Sequence, residues 1–257
     1  MSLLDEAEVK ATFLSVGWLA QKYPELIRRL ADAGHEIGCH SHLHRLVYSL
    51  DPYEFEKDLK LSLAVLRQVS GQEVSVFRAP GFSMVRSCFW AYPILRRNGI
   101  RVDISVVPAS RDHGGVPGFP RDPFLLQTGE GGVTVFPVSV MSVCGKAIPF
   151  AGGGHLRFFP LAVIRFGIRQ NIRQGRPCMC YIHPREIDLE QPRLKLPLVK
   201  QLKYYFGLAS TGPKLRSLFS TYRFGTVSKV LASVCLLHEY RLQSGGDIVR
   251  TYTGAHK

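Results

Sequence analysis

The stretch Gly34-His35-Glu36-Ile37-Gly38-Cys39-His40-Ser41-His42-Leu43-His44 decides how this chain is read. Glu36–His40 is short, apolar at its centre and announced by Gly34, which is the signature of a strand following a turn. His40, His42 and His44 come just past it, three of nine histidines within five residues. If the strand continues, all three share one face, because alternate strand residues point the same way. If the chain turns helical, His40 and His44 become neighbours instead. Either geometry brings at least two imidazoles together, which suits Zn²⁺ or a similar borderline divalent ion. The C-terminal end of a strand is also where α/β enzymes build their sites.

Working outward, further strands are expected at Ala11–Val16, Val74–Arg78, Arg101–Val106, Val133–Val138 and Cys178–His183. Between them lie helical patterns. Trp18–Ala33 carries Leu19, Ala20, Tyr23, Leu26, Ile27 and Leu30 at helical spacing, with Gly34 as the stop. A second helix is expected from Pro52 to about Val69, with Asp51 as N-cap, and a third over Ser87–Asn98, closed by Gly99. Strand and helix in alternation imply a parallel α/β architecture. Residues 107–132, rich in Gly, Pro, Asp and Arg, read as one long loop. Ala151-Gly152-Gly153-Gly154-His155 opens a helix and is either a flexible turn or an anion cradle. Residues 204–232 read as two helical pieces broken at Gly212-Pro213, and 243–257 as a frayed polar tail.

The composition excludes several classes. In 257 residues, 46% are hydrophobic and 21% charged, so the chain is not wholly disordered. It contains no run of 18 apolar residues, so no spanning helix is expected. Met1-Ser2-Leu3-Leu4-Asp5-Glu6 has neither a basic nor an apolar signal region, and the six cysteines contain no C-x-x-C pair. The expectation is a reduced cytoplasmic protein, with the periphery of the inner membrane as an open option. The net charge of +13 is gathered in clusters: Arg96, Arg97 and Arg101; Arg165, Arg169, Arg173 and Arg176; Arg193, Lys195, Lys200 and Lys203; Lys214, Arg216, Arg223 and Lys229. The second cluster lies on one helix face opposite Phe158, Phe159, Leu161, Ile164, Ile168 and Ile172. A solvated basic face is the plain reading, and contact with an anionic membrane surface or an acidic polymer is the other. No helix-turn-helix, ribonucleoprotein or zinc-finger pattern accompanies the charge, so nucleic acid is not expected as a partner.

Two more residues sit at expected strand ends: Arg78 in Phe77-Arg78-Ala79-Pro80-Gly81, and His183 in Tyr181-Ile182-His183-Pro184. Taken in order with Ala11-Thr12-Phe13 and His40-Ser41-His42-Leu43-His44, these motifs resemble the polysaccharide deacetylases. These are the NodB-homology enzymes of carbohydrate esterase family four, whose second block is H-[ST]-x-x-H. The stretch from about Gly152 to Leu231 resembles the C-terminal extension of a subgroup found with exopolysaccharide-export loci. The resemblance covers roughly residues 3–232. It implies a distorted (β/α) barrel and one metal ion, usually zinc, held by His40 and His44. It also implies that Arg78 orients the catalytic base and that His183 protonates the departing amine. Asp103, in Arg101-Val102-Asp103-Ile104-Ser105, falls where the family's fourth block lies and would tune His183. The implied substrate is an N-acetylated polysaccharide.

One family feature has no counterpart. The first block, Thr-Phe-Asp-Asp-Gly, supplies the base and a third metal ligand in the family, and this sequence does not contain it. The expectation is therefore an incomplete barrel lacking its first strand, with weakly bound metal and impaired turnover. Either the chain is a fragment or the block has been lost, and His42 is a conceivable substitute ligand. The missing strand would leave an unpaired sheet edge. The expected division is a deacetylase-like barrel over 1–203, a helical extension over 204–242 and a polar tail over 243–257. Beside the metal-dependent deacetylase stand two other readings: a non-catalytic glycan-binding or export-assembly module, and a basic membrane-surface protein.

Overall fold

The computed structural model describes residues 2–111, 114–195, 197–236, 238–243 and 245–251. Among the described residues, ten strands run in chain order. β1 is Thr12–Ser15, β2 Glu36–Cys39, β3 Val76–Phe77, β4 Val102–Asp103 and β5 Phe124–Thr128. β6 is Gly131–Val135, β7 Val140–Val143, β8 Lys146–Pro149, β9 Glu239–Leu242 and β10 Ile248–Thr251. The chain divides into two compact units that interleave in sequence. One is Lys10–Val138 with Gly225–Lys257; the other is Met1–Val9 with Ser139–Phe224.

The first unit holds an eight-stranded mixed sheet in the order β1-β2-β3-β4-β6-β5-β9-β10. The run β1 through β4 to β6 is parallel, as alternating strands and helices require. This α/β arrangement is consistent with a distorted barrel. Its core gathers Ile37, Phe77, Phe89, Tyr92 and Phe124, all fully buried. Each such side chain contributes about 1.5–3 kcal/mol on leaving water. The helix Pro52–Ser70 begins as read: Asp51 accepts from the Glu54 amide (2.8 Å), Glu54 reaches back to Asp51, and Pro52 takes the first turn. Its buried Phe55, Leu59, Ser62, Leu63 and Leu66 form the inward stripe.

The structure corrects several local expectations. Trp18–Ala33 is two helices, Gly17–Lys22 and Pro24–Asp32. Pro24 lacks an N–H and pushes Tyr23 out of helical geometry (φ −131°, ψ 62°). Ser87–Asn98 is likewise a short 3₁₀ turn at Arg86–Cys88 followed by the helix Ala91–Arg97. The loop over 107–132 contains β5, which forms a hairpin with β6, although Asp112 and His113 lie outside the described residues. Phe124 and Leu126 point inward at strand spacing within a stretch whose Gly and Pro content conceals it. The tail is not frayed throughout: β10 pairs with β9, and β9 pairs with β5. Residues 252–257 lie outside the described residues.

In the second unit, Met141, Phe150, Leu156, Ile164, Ile168, Leu215 and Leu218 make the core. Cys178–His183 is not a strand; it makes a single parallel bridge, Gly152 to Tyr181. The helix Leu208–Phe219 runs straight through Gly212-Pro213. Gly212 has no Cβ for the proline ring to strike, and the break falls instead at Gly207, which has φ 74°. The basic helix Leu161–Arg173 buries Ile164 and Ile168, but Ile172 is exposed and Arg165 turns inward to Ser217 Oγ (2.9 Å).

Candidate functional site

His40 follows β2 and is buried. Its amide extends the parallel pairing to the Ser15 carbonyl (2.9 Å), and its Nδ1 lies 2.6 Å from the Arg78 carbonyl oxygen. A carbonyl can only accept, so Nδ1 carries the proton and Nε2 keeps its lone pair. That is the tautomer a metal-ligating histidine needs. The chain then turns sharply, because Ser41 adopts φ 62° and His44 φ 56°. Ser41 Oγ accepts from the His44 amide (2.9 Å), which closes the turn. The His40 and His44 rings meet edge to face, with centroids 4.9 Å apart. Neither a continued strand nor a helix produces this pairing; two left-handed residues do.

His42 goes elsewhere. Its Nδ1 is buried without a hydrogen-bond partner, and a Cβ at Gly17 would lie 2.6 Å from it. The ring is therefore lodged against the helices that carry Gly17 and Ser62. The backbone of the loop is held by Asp58, which accepts from the amides of His42 (2.6 Å) and Leu43 (3.1 Å). Asp58 carries no signal in the sequence, since it is one acidic residue among several on the helix Pro52–Ser70. Cys39 is next to His40, but burial pushes its thiol up to about 11, so it remains a neutral packing group.

Arg78 follows β3, is buried, and donates its amide N–H to the Cys39 carbonyl (3.0 Å). Its guanidinium lies 5.3 Å from the Phe82 ring centre, and that of Arg111 lies 5.2 Å from the same ring. Asp103 ends β4 and is fully buried. It accepts from Tyr92 Oη (3.2 Å), the Ser105 amide (3.3 Å) and Ser105 Oγ. Ser105 Oγ in turn accepts from the Ala79 amide (2.7 Å). Asp103 thus braces the turn that carries Arg78. Burial pushes its carboxyl up to about 7, against the hydrogen bonds of Ser105 and Tyr92 that favour the ionised form. These hydroxyl partners are not legible in the sequence, because nothing in their spacing marks them.

His183 belongs to the other unit. Its side chain is exposed, and its amide donates to Glu186 Oε2 (3.0 Å) across the 3₁₀ turn Pro184–Glu186. The glycine run before it is no anion cradle. A Cβ on Gly152 would lie 2.1 Å from the Tyr181 ring, and the Gly153 amide bonds the Tyr181 carbonyl (3.1 Å). The run allows Tyr181 to approach the backbone. The helix that follows, Gly154–Phe158, is only five residues long.

The basic clusters are partly neutralised. Arg97 pairs with Glu56, Arg101 with Glu73 and Arg216 with Glu6, while Lys214 Nζ is turned onto the carbonyls of Leu156 and Arg157. The side chains of Lys200 and Lys203 lie outside the described residues.

The His40 and His44 imidazoles are thus in contact, and the Arg78 carbonyl sets the tautomer of His40. Among the described residues no group of three His, Cys, Asp or Glu side chains could hold a metal ion.

Residues 1–101 match the polysaccharide deacetylase family model, and residues 104–232 match a family described as a domain of unknown function, DUF3473. Over 77 residues the chain is 30% identical to a peptidoglycan-N-acetylglucosamine deacetylase of Bacillus cereus, covering 30% of this chain and 28% of that protein. The curated relatives that it matches are covered over less than a third of their length. The crystal structure of a candidate polysaccharide deacetylase from Mycobacterium smegmatis shares the fold. It has a TM-score of 0.60 and 22% identity, with 91% of this chain and 74% of that one covered.

Proposed function

This chain belongs to the DUF3473 family, matched over residues 104–232, and its residues 1–101 match the polysaccharide deacetylase family model; from these matches we propose that it removes N-acetyl groups from a polysaccharide. The observation that carries the proposal is the His40–His44 pair with its tautomer set by the Arg78 carbonyl. The name of the Bacillus cereus relative supports an N-acetylglucosamine-containing glycan as the substrate class.

In this reading His40 and His44 hold a divalent ion, with zinc the best match to two imidazoles. When bound, such an ion supplies Lewis acidity at the acetyl oxygen and acidifies water. The chain's own residues do the rest. Arg78 fixes His40 through its carbonyl, and Asp103 and Ser105 fix the turn after Arg78. His183, in its own unit, is the proton donor assigned by the family resemblance, and its exposed imidazole suits that task. Water adds to the acetyl carbon, the C–N bond breaks, and the amine leaves with a proton as acetate forms. His40 and His44 would hold such an ion as two imidazole ligands, and with no third His, Cys, Asp or Glu beside them among the described residues they would hold it weakly.

The test is acetate release from an N-acetylglucosamine oligomer with and without added Zn²⁺. Slow release that zinc stimulates and His40→Ala abolishes is expected. Absence of release at every zinc concentration, or release indifferent to His40→Ala, overturns the proposal.

A second reading, contact with an anionic membrane surface, rests on one helix. Phe166 and Ile172 are exposed beside Arg169 and Arg173 on the helix Leu161–Arg173. Co-sedimentation with anionic vesicles that falls as salt rises, and is lost in Phe166→Ser/Ile172→Ser, would support it.

A further inference from the structure

Beneath the exposed His183 lies a buried ion pair that the chemistry above does not use. Glu186 is buried, and its Oε1 lies 3.5 Å from Arg157 Nε, itself buried. Its Oε2 accepts the His183 amide at 3.0 Å and lies 3.7 Å from His183 Nδ1, an ion-pair separation. Arg157 is clamped in turn. Its Nη1 donates to the carbonyls of Tyr204 and Phe206, each at 3.1 Å. The Lys214 ammonium bonds the Arg157 carbonyl at 2.9 Å. Gly207 packs so closely that a Cβ there would lie 2.7 Å from the Arg157 carbonyl oxygen.

A buried ion pair is expensive to desolvate and is often no better for stability than apolar side chains of the same volume. This one connects three segments of the chain and ends on a surface histidine. The neighbouring charged side chains have contacts of their own. Arg185 lies over the Tyr204 ring at 4.7 Å, and Asp188 accepts from the Glu190 amide. Cys180 feels the Glu186 charge, but its thiol is pushed up to about 12, first by burial, and stays neutral.

We infer that Glu186 and Arg157 are positioning residues for His183. Glu186 fixes the His183 backbone and draws its Nδ1 side inward, which turns Nε2 outward as the proton-donating atom. Arg157 keeps the Glu186 carboxylate in place. Burial alone raises the Glu186 carboxyl, yet the hydrogen bonds and charges of His183 and Arg157 bring it net below the usual carboxylate range, in keeping with an ionised anchor. This inference rests on the reading of His183 as the proton donor.

The experiment uses the full chain and two readouts. In Glu186→Ala, hydrogen exchange at the His183 amide is expected to accelerate about tenfold or more, because its buried acceptor is gone. In Glu186→Gln and in Arg157→Met/Glu186→Gln, kcat for acetate release is expected to fall about tenfold while KM stays within about twofold, as removal of a transition-state interaction requires. The double variant leaves no unpaired buried charge, so it should keep the wild-type near-ultraviolet circular dichroism. Unchanged His183 exchange in a folded Glu186→Ala overturns the inference, as does a folded double variant with wild-type kcat. If the wild-type chain releases no acetate, the proposed function fails by itself, and the exchange experiment still decides whether Glu186 holds His183.

Discussion

His40 donates its Nδ1 proton to the main-chain carbonyl of Arg78 across 2.6 Å, joining the ends of two neighbouring parallel strands through one imidazole. The bond comes from a backbone atom, so any residue at position 78 with the same backbone geometry would supply it. The histidine at 40 is therefore the informative partner, and His44 completes the pair by way of the left-handed turn at Ser41.

His40 and His42 should separate cleanly in a metal titration. His40→Ala is expected to weaken Zn²⁺ or Co²⁺ binding at least about a hundredfold, since it removes one of the two proposed ligands. His42→Ala should leave binding within about twofold, because its ring is lodged beside Gly17. Isothermal calorimetry on both variants checks this, and equal losses would refute the assignment.

Asp58→Ala removes the acceptor for two loop amides without touching either imidazole. Metal affinity should fall about tenfold, within the range found for groups that orient ligands. The same calorimetric titration applies, with thermal unfolding as the control for fold.

At Gly17 even a methyl group should be costly. A Cβ would lie 2.6 Å from His42 Nδ1 and 2.8 Å from Ser62 Cα, and the latter is backbone that cannot swing away. Gly17→Ala is expected to destabilise by about 1–3 kcal/mol, read as a lower midpoint in urea unfolding at unchanged slope.

Asp103 should leave a mark on the pH dependence of stability. Its carboxyl titrates near 7 in the folded protein, above the ordinary value of 3.8, because it is buried. Between those values the folded state holds a proton that the unfolded state has lost. Stability from this group is therefore full below pH 3.8 and is lost as pH rises toward 7, at up to about 1.4 kcal/mol per pH unit. Asp103→Asn should flatten that slope between pH 4 and 7 in urea denaturation. An unchanged slope would show that another group is responsible.

Much of the parallel framework was legible. β1, β2, β3 and β4 lie within the strands expected from the sequence, and Asp51-Pro52 starts its helix as read. These features depend on local chemistry: side-chain alternation, capping and the geometry of proline. Local reasoning failed where two local signals competed. Pro24 overrode the helical period of Trp18–Ala33, whereas Pro213 did not break its helix because Gly212 precedes it. Around Phe124 the glycines and prolines concealed a strand whose partners are the adjacent β6 and the far more C-terminal β9.

For the site, the amino-acid order by itself supplied the candidate side chains: imidazoles at 40, 42, 44 and 183, a guanidinium at 78 and a carboxyl at 103. Only the tertiary structure decided how they are used. It separated His42 from His40 and His44, and it gave Asp103 the partners Ser105 and Tyr92. It also placed Glu186 and Arg157 beneath His183. The reason is physical. Residue type sets what a group can donate, accept or titrate, but its protonation, tautomer and direction depend on burial and on partners distant in sequence, which exist only once the chain has folded.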